Sequence, residues 1–453
     1  MEDFLIYNND RTEIIGFKEE IQGDIVIPDG ILKIAERAFY ACDTITSVHI
    51  PDSVTNIGCF AFCECYALRS VHLPSNISCI DTGVFESCRK LQSINIHQGI
   101  TEIGAFAFQM CDSLSHINIP EGVTRIGNNA FIGCNFESVE LPMGVETISD
   151  CAFCNCHELR HIIIPNSVTT IGNEAFSGCN KIEEVEIPNT VSEIGYKAFS
   201  GCDSLQIIEI PYSVSTIGFG AFEYCKNLKQ IRVSKKNCNY LSCEGILFDK
   251  EMKTLIQYPN GKDCELYKVP EGVETIAPYA FGPASLLKKI ELPEGLRSIG
   301  KEAFQNTHIE DIKLPSSITI IEDSTFRQSK LCSITFPTSL SRINDFAFCD
   351  CRSLKTINLP EGLVHIGKSA FCFGYALEKV YIPSSIQYIG SGAFGWNNLK
   401  ELHIKIEDIE VFGDDFTGYI KKENCSLYVP YGTKYAYSNH PYFKDFSEII
   451  TED

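Results

Sequence analysis

The sequence predicts an α/β repeat solenoid, in which the chain winds into stacked coils with a parallel β-sheet along one side. The first observation is a Phe, usually preceded by Ala, that recurs every 22 or 23 residues on both sides of one gap. The second is an alternating Ile-x-Ile-Pro word, and the third is an Ile-Gly pair that keeps the same period. A fixed period of this length is typical of solenoids. The repeated residues are Phe39, Phe62, Phe85, Phe108, Phe131, Phe153, Phe176, Phe199, Phe222, Phe281, Phe304, Phe326, Phe348, Phe371 and Phe394.

One repeat, Val168–Thr190, shows the full pattern V-x-x-I-G-x-x-A-F-x-x-C-x-x-L-x-x-I-x-I-P. The Ile-x-Ile-Pro word alternates apolar and polar residues, which is strand periodicity. Ile162 and Ile164 should therefore point inward, and Pro165 should end the strand because Pro donates no hydrogen bond to a ladder. The Ile-Gly pair should turn the chain, and Ala-Phe-x-x-Cys should form a short helical or 3-10 turn. We expect the stacked strands to form one long parallel sheet on the concave side.

The repeat is absent from the N-terminal stretch, from one internal stretch and from the C-terminal stretch. The sequence therefore predicts two blocks of coils and three segments that do not follow the repeat. The first segment reads as strand, turn and strand, a hairpin able to cover the open end of the stack. In the pause, strand-like Ile246–Phe248 and Thr254–Tyr258 flank polar residues and predict a second hairpin. The last segment is expected to hold a strand and a short aromatic helix from about Thr433. The expected segments are 1–30 (N-terminal hairpin cap), 31–231 (first repeat block), 232–269 (β-hairpin insertion), 270–424 (second repeat block) and 425–453 (C-terminal cap).

Charge narrows the classes of partner. The chain has 453 residues and a formal net charge of −21, with 44% hydrophobic and 21% charged residues. Nucleic acid and anionic membranes both require a basic face, so we expect neither as a partner. The first residues show no signal peptide, and no stretch is long and apolar enough to span a bilayer. We therefore expect no membrane insertion, and a stack that stays monomeric.

The 22 cysteines follow the repeat rather than a disulfide framework. A residue that recurs once per coil at an apolar position is most simply a ladder of small buried side chains. Stacked Cβ atoms about 4.8 Å apart are wider than the roughly 3.8 Å that a disulfide prefers. We therefore expect free, buried thiols, as in a reducing compartment. Ten cysteines share one template position: Cys42, Cys65, Cys88, Cys111, Cys134, Cys156, Cys179, Cys202, Cys225 and Cys351.

Three motifs suggest chemistry, and the repeat explains each of them. Gly362–Ser369 matches the phosphate-loop pattern G-x-x-x-x-G-K-[ST], but Gly367 is the template Ile-Gly glycine and only a turn is expected to follow it. Pairs such as Cys63 and Cys65 resemble zinc ligands, but one sulfur of each pair belongs to the inward ladder. A cysteine nucleophile would need a base and an orienting partner near an exposed thiolate. We expect no cofactor, no metal and no catalytic residue, and hence no enzyme.

The outward positions of the strands are the candidate binding surface, since the repeat pattern does not fix the residue type at these positions. Ile163, Ile207 and Tyr381 are apolar there, where solvation alone would favour polar residues. His49 and His72 should stack and could make binding sensitive to pH. We expect a protein partner to dock around Ile163 to Arg232. The candidates are His49, His72, Asn118, Glu140, His161, Ile163, Glu184, Glu186, Ile207, Glu209, Arg232 and Tyr381.

The words I-G-x-x-A-F-x-x-C-x-x-L-x-x-I-x-I-P resemble those of BspA-like leucine-rich repeat proteins. The Tyr240–Pro259 stretch, with Glu244-Gly-Ile-Leu-Phe248, is similar to a hairpin module of that family, and so is Leu427–Thr433. The resemblance implies a leucine-rich repeat arc that binds host proteins, extracellular matrix or other cells from the cell surface or after secretion, and it carries no catalytic residues. The alternative is an intracellular protein-interaction scaffold, which would place the chain in the cytoplasm.

Overall fold

The computed structural model describes residues 4–18, 21–412 and 415–452, so residues 1–3, 19–20, 413–414 and 453 of the expected segments lie outside the described residues. The chain divides into two compact units, Met1–Tyr240 and Leu241–Asp453. Each unit is a parallel β-solenoid of stacked coils, as the repeat predicts. No helix in the described ranges is both long and apolar enough to cross a membrane.

The first unit is built from short strands. Their bounds are β1 Leu5–Tyr7, β2 Glu13–Phe17, β3 Gly23–Val26, β4 Lys33–Ile34, β5 Ile45–His49, β6 Asn56–Ile57, β7 Ser70–His72, β8 Cys79–Ile80, β9 Ser93–Ile94, β10 Glu102–Ile103, β11 Arg125–Ile126, β12 Ser138–Glu140, β13 Thr147–Ile148, β14 His161–Ile163, β15 Thr170–Ile171, β16 Glu193–Ile194, β17 Ile207–Ile210, β18 Thr216–Ile217 and β19 Gln230–Val233. Strand β20, Tyr240–Cys243, begins at the last residue of the first unit and continues into the second.

The second unit repeats the arrangement. Its strands are β21 Ile246–Asp249, β22 Thr254–Gln257, β23 Leu266–Lys268, β24 Thr275–Ile276, β25 Lys289–Glu291, β26 Ser298–Ile299, β27 Asp311–Lys313, β28 Ile320–Ile321, β29 Ser333–Thr335, β30 Arg342–Ile343, β31 Thr356–Asn358, β32 His365–Ile366, β33 Lys379–Ile382, β34 Tyr388–Ile389, β35 Glu401–Ile404, β36 Ser426–Pro430 and β37 Glu448–Glu452. Helix α1 covers Lys434–Asn439, and short 3-10 turns cover Ile409–Val411 and Lys422–Asn424.

A regular coil has two strands and a turn. The longer strand is the Ile-x-Ile word: in β17, Ile208 and Ile210 are buried while Ile207 and Glu209 are exposed, the alternation the sequence predicts. The second strand has only two residues, the template Ile before the Gly and the residue that precedes this Ile. The sequence predicts only a turn at this point. Gly218 follows such a pair, and a Cβ on it would lie 2.3 Å from the backbone N of Tyr196 in the preceding coil. A side chain at Gly218 would therefore force these two coils apart.

The turns stack the repeated Phe side chains into a buried column. From Phe39 to Phe222 the ring centroids of neighbouring coils lie 4.9 to 5.8 Å apart, close to parallel. The backbone N–H of Phe176 donates to the carbonyl of Ala198 in the next coil at 2.8 Å, so the turn side is also a hydrogen-bonded stack. Burial of one aromatic side chain per coil is the main apolar contribution on this side.

Two expectations about the sheet need correction. The α/β class is too generous, because α1 is the one α-helix among the described residues and the third side of a coil is a turn. That turn is closed by bonds such as Cys179 N–H to Phe176 O, three residues apart, which leaves no room for an α-helical turn. The sheet is also not one continuous ladder. Because Pro ends each strand after a few residues, few bonds join neighbouring coils, and pairing lapses between them.

The resulting parallel ladders are short. In the first unit the longer strands pair as β3-β5-β7-β9, β12-β14 and β17-β19, and the two-residue strands pair as β8-β10-β11 and β13-β15-β16-β18. In the second unit the longer strands pair as β23-β25-β27-β29 and β31-β33-β35-β36-β37, and two-residue strands pair as β28-β30-β32-β34. A further sheet joins the four-residue strands β20, β21 and β22 to the two-residue strands β24 and β26 in the order β20-β21-β22-β24-β26.

In the part of the chain that the structure describes, antiparallel pairing occurs in two stretches where the repeat is absent. β1 pairs with β2, with Leu5 opposite Phe17. β21 pairs with β22, with Leu247 opposite Gln257. In the connection between them, Asp249 Oδ1 accepts hydrogen bonds from the backbone N–H groups of Lys253 and Thr254 at 2.8 and 2.9 Å. These two strand pairs lie in the stretches that predict hairpins.

The cysteine column consists of free thiols, as expected from the repeat. Each thiol also makes a hydrogen bond that the sequence does not suggest: Cys179 Sγ donates to the carbonyl of Phe153, in the preceding coil, at 3.1 Å. In the second unit Asn397 occupies the same template position, and its Nδ2 donates to the carbonyls of Phe371 and Phe394. The template Cys is therefore a small apolar residue that also satisfies a buried carbonyl.

Candidate protein-binding face

Four longer strands of the first unit present outward side chains in two columns. In β12 and β14, Ser138 lies opposite His161 and Glu140 opposite Ile163. In β17 and β19, Ile207 lies opposite Gln230 and Glu209 opposite Arg232. The inward neighbours of these residues, such as Val139 and Ile162, are buried and hold the strands in place. The surface is called the acidic face below and consists of Glu140, His161, Ile163, Glu184, Glu186, Ile207, Glu209 and Arg232.

The coil between these two strand pairs is open. Residues 184–187 form no strand, and their one ladder contact is an isolated bridge between His161 and Glu184. Here the surface dips into a depression of about 690 Å³. Its lining residues are Glu184, Val185, Glu186, Ile187, Asn189, Ile207, Glu209, Pro211, Arg232 and Ser234.

The carboxylates of the depression are not neutralised within the protein. Glu184, Glu186 and Glu209 are exposed, and among the described residues no salt bridge reaches any of them. The neighbouring cation Arg160 is instead paired with Glu183 at 2.9 Å. Arg232 is the one basic side chain that lines the depression. The local charge is therefore negative, and an arriving cation would meet carboxylates free to bind it.

Apolar side chains stand among these charges. Ile163, the last residue of β14, is 58% exposed, and Ile207, the first residue of β17, is 40% exposed, although a polar residue would be solvated at no cost at either position. Ile163 lies opposite Glu140 and Ile207 lies opposite Gln230 in the paired strands. Covering such side chains with an apolar partner contributes about 25 cal/mol per Å² removed from water.

The remaining candidates of the first unit lie elsewhere. His49 and His72 occupy paired positions on β5 and β7, and their rings stack at 4.4 Å. Nearby, hydrogen bonds from the backbone and hydroxyl of Ser75 lower the pKa of Asp52, with smaller contributions from the two imidazoles. Asn118 is exposed in a stretch that forms no strand. The structure thus brings together eight of the twelve candidates and leaves these three apart.

Tyr381, the twelfth candidate, belongs to the second unit and forms part of an aromatic column there. Its ring stacks on His403 at 4.2 Å, and His403 stacks on Tyr428 at 4.1 Å. His403 Nδ1 lies 2.9 Å from Glu452 Oε2, on the last strand. Sequence reasoning did not single out His403 or Tyr428, although both occupy the outward position that Tyr381 occupies on β33.

Sequence reasoning also missed part of the depression. Asn189, Pro211 and Ser234 line it, and each follows the end of a strand word rather than standing at an outward strand position. The Pro that closes each word could have indicated them, because it ends the strand at the rim. Across the described part of the chain, no group of three or more His, Cys, Asp or Glu side chains is arranged to hold a metal ion.

Comparison with known proteins shows which family has this repeat. The family described as the BspA type leucine rich repeat region (6 copies) matches residues 16–135, 124–244, 260–338 and 319–425. The comparison with curated protein sequences finds no match.

Several solved structures are similar. A leucine rich cell surface protein from Faecalibacterium prausnitzii is 29% identical, with a TM-score of 0.53, over 88% of this chain and 92% of its own. The pneumococcal vaccine antigen PcpA is 22% identical, with a TM-score of 0.48, over 99% and 98%. A leucine-rich repeat protein from Bacteroides ovatus is 22% identical, with a TM-score of 0.42, over 92% and 98%. With its stacked coils and family match, this chain belongs to the BspA-type leucine-rich repeat family, whose repeats serve protein–protein interaction.

Proposed function

We propose that the acidic face binds a protein partner whose contact surface carries Lys or Arg beside apolar side chains. The observation that carries this proposal is the depression at residues 184–187, where Ile207 is exposed and Glu184, Glu186 and Glu209 form no salt bridge with any residue that the structure describes. Cationic groups of the partner would pair with the carboxylates, and an apolar side chain would cover Ile207. Opposite charges accelerate the encounter, and apolar burial supplies affinity.

The partner is proposed to be a host or extracellular-matrix protein, recognised outside the cell. Support comes from the Faecalibacterium protein described as a cell surface protein, which is 29% identical over 92% of its length. Protease added to intact producing cells tests this placement. Cleavage before lysis supports recognition outside the cell, whereas full protection until lysis contradicts it.

Binding is tested by biolayer interferometry against a panel of purified matrix proteins, with two charge-reversed variants. Glu186→Lys with Glu209→Lys should weaken binding about tenfold or more, which corresponds to roughly 1.4 kcal/mol. Glu193→Lys is the matched control, because Glu193 is exposed on β16, in the other strand series. Equal binding by the wild type and the double variant, at a panel member that the wild type binds, contradicts the proposed face.

A second candidate is an intracellular protein-interaction scaffold that uses the same face. The observation that favours it is the presence of 22 free thiols, which is common in reducing compartments. In that case the protease experiment would give full protection in intact cells, and the matrix panel would give no binding to the wild type.

We also propose the position of the sheet on the concave side, the two terminal caps and the hairpin insertion. The longer strands would line the concave side of an arc, so that the acidic face is its inner surface. The β1–β2 pair would cap the first coil, β21–β22 would form the insertion between two repeat blocks, and residues 425–453 would cap the last coil. A monomer is expected, and light scattering after deletion of residues 1–17 tests the cap: uncovering the first coil should cause self-association.

A further inference from the structure

One template position carries cysteine on two consecutive coils of the second unit. It is the residue directly after the ladder Phe, occupied by Cys349 after Phe348 and by Cys372 after Phe371. Cysteine occurs at this position twice more, at Cys63 and Cys154, where the next coil has Glu86 and Ser177. Only the first pair therefore sets two thiols side by side at this position.

The two sulfur atoms are in contact. Cys372 Sγ donates to Cys349 Sγ at 2.9 Å, and both residues are almost fully buried. This hydrogen bond, together with the guanidinium of Arg327 at the same position one coil earlier, lowers the pKa of Cys349. The same bond raises the pKa of Cys372, which keeps its proton as the donor. A thiolate is the reactive form of cysteine, so the pair has one nucleophile and one resolving thiol.

The pair borders a surface depression through Cys372, whereas Cys349 lies behind it and does not line the depression. Cys372 lines a depression of about 500 Å³, together with Ser369, Gly392 and Trp396. Gly395 occupies the corresponding position in the next coil and also lines this depression, so no side chain there covers Cys372. A hydroperoxide is small enough to use such an opening.

Cys111, a template cysteine of the buried column, differs from this pair in its hydrogen-bond partner, in its pKa and in its access to the surface. Cys111 is fully buried, its Sγ donates to the carbonyl of Phe85 at 3.2 Å, and burial raises the pKa of its thiol. Its environment favours the unreactive thiol and provides a fixed acceptor for the S–H group. Column cysteines therefore serve as an internal control for the pair.

We propose that Cys349 and Cys372 form an oxidation site that closes to a disulfide when the protein meets a hydroperoxide. The Cys349 thiolate attacks the peroxide, the O–O bond breaks, and sulfenic acid forms on Cys349 as hydroxide or an alkoxide leaves and takes up the proton that the Cys349 thiol released. Cys372 Sγ then attacks that sulfur, the S–S bond forms and the S–O bond breaks. The departing hydroxide takes the Cys372 proton. Two thiols and one hydrogen peroxide thus give one disulfide and two water molecules, and an organic hydroperoxide gives one water and one alcohol instead.

The product would be a covalent link between two consecutive coils. The joined residues are 23 positions apart, so the disulfide closes a loop of one repeat. Such a link restricts the unfolded chain, and the second unit should unfold at a higher temperature after oxidation. The link would reverse on treatment with dithiothreitol.

Peptide mass spectrometry tests the proposal on the full-length protein. The protein is reduced, freed of reductant, treated with one equivalent of hydrogen peroxide, then denatured and alkylated with iodoacetamide. The expected product is a linked pair of peptides joining Cys349 to Cys372, lighter by two hydrogen atoms than the two thiols, while Cys111 is alkylated. Alkylation of both Cys349 and Cys372, while exposed Cys238 and Cys332 are oxidised, would overturn the proposal.

Two variants separate the roles of the sulfurs. In Cys372→Ser, the sulfenic acid on Cys349 has no resolving thiol, so dimedone should label Cys349 after peroxide treatment but not in the wild type. Cys63→Ser is the matched control at the same template position and should leave the linked peptide unchanged. Dimedone labelling of Cys349 in the wild type to the same extent as in Cys372→Ser would contradict the resolving role.

Discussion

Arg232 lies opposite Glu209 in the β17–β19 register, but its Nε donates to Gln230 Oε1 at 3.3 Å. A guanidinium one coil away from a carboxylate could neutralise it; here Glu209 remains without a salt bridge among the described residues. The acidic face therefore keeps its charge at the point where its basic residue stands. This arrangement favours a partner that supplies its own cations.

Removing that guanidinium should strengthen binding to a cationic partner. With a synthetic peptide of alternating Lys and Leu as the probe, Arg232→Ala should bind a few-fold more tightly than the wild type, because one repulsive charge is lost. The difference should shrink as salt is raised, since exposed charges are screened beyond about 8 Å at physiological ionic strength. Fluorescence anisotropy at low and high salt measures both effects.

Arg69→Ala is the matched control, because Arg69 is exposed in the same unit but outside the acidic face. Weaker binding by Arg232→Ala than by Arg69→Ala would mean that Arg232 attracts the partner, and the proposed cationic chemistry would be wrong.

The template glycine should be intolerant of a side chain. In Gly300→Ala the new Cβ would lie 2.5 Å from the backbone N of Pro278, so the coils must separate, and a loss of several kcal/mol is expected. Gly295→Ala in the same repeat meets no atom within 4 Å and should change stability by less than about 1 kcal/mol. Urea unfolding followed by circular dichroism compares the two; equal midpoints would contradict the close approach of the coils.

The Phe column should dominate the stability of the turn side. Phe176→Ala removes a fully buried ring between Phe153 and Phe199 and should cost about 3–5 kcal/mol. Phe219→Ala is the matched control in the same unit, because Phe219 is 54% exposed, and it should cost within about 0.5 kcal/mol. Thermal unfolding of the two variants decides the point; similar midpoints would show that the column packs loosely.

Asp52 should give stability that depends on pH. Its Oδ1 accepts bonds from Ser75 in the next coil, and these bonds lower its pKa. A depressed pKa stabilises the fold above the unfolded value of about 3.9, and this contribution disappears as pH falls through the folded pKa. Asp52→Asn should therefore lower the urea midpoint more at pH 7 than at pH 3. Asp29→Asn, at the same position one coil earlier, is the control, and a constant deficit at both pH values would contradict the linkage.

The repeated parts of the fold are predictable from the sequence because the same residue pattern occurs in every coil. The alternation of Ile208 and Ile210 with exposed neighbours, the Phe column and the buried thiols all follow from one period. The two-residue strands were missed because two residues are too few to show alternation. The bond from Cys179 to the Phe153 carbonyl was missed because it joins different coils, and single-repeat patterns carry no such contact.

The candidate face was predictable as a set of positions but not as a shape. Outward positions on strands identify Glu140, Ile163 and Glu209 from spacing alone. The lapse of pairing at residues 184–187, which creates the depression, depends on how neighbouring coils separate, and the residues there keep the usual template. Likewise, the contact of Cys349 with Cys372 depends on side-chain rotamers in adjacent turns.

Hydrogen–deuterium exchange with a bound partner tests most directly whether the acidic face is the binding surface. The probe is whichever purified matrix protein of the panel binds the wild type most tightly, or the Lys-Leu peptide if none does. Binding should slow exchange in residues 184–187 and 207–211 and leave β15, β16 and β18 unchanged. Protection confined to the turns around Phe176 and Phe199, or to the second unit, would contradict the account.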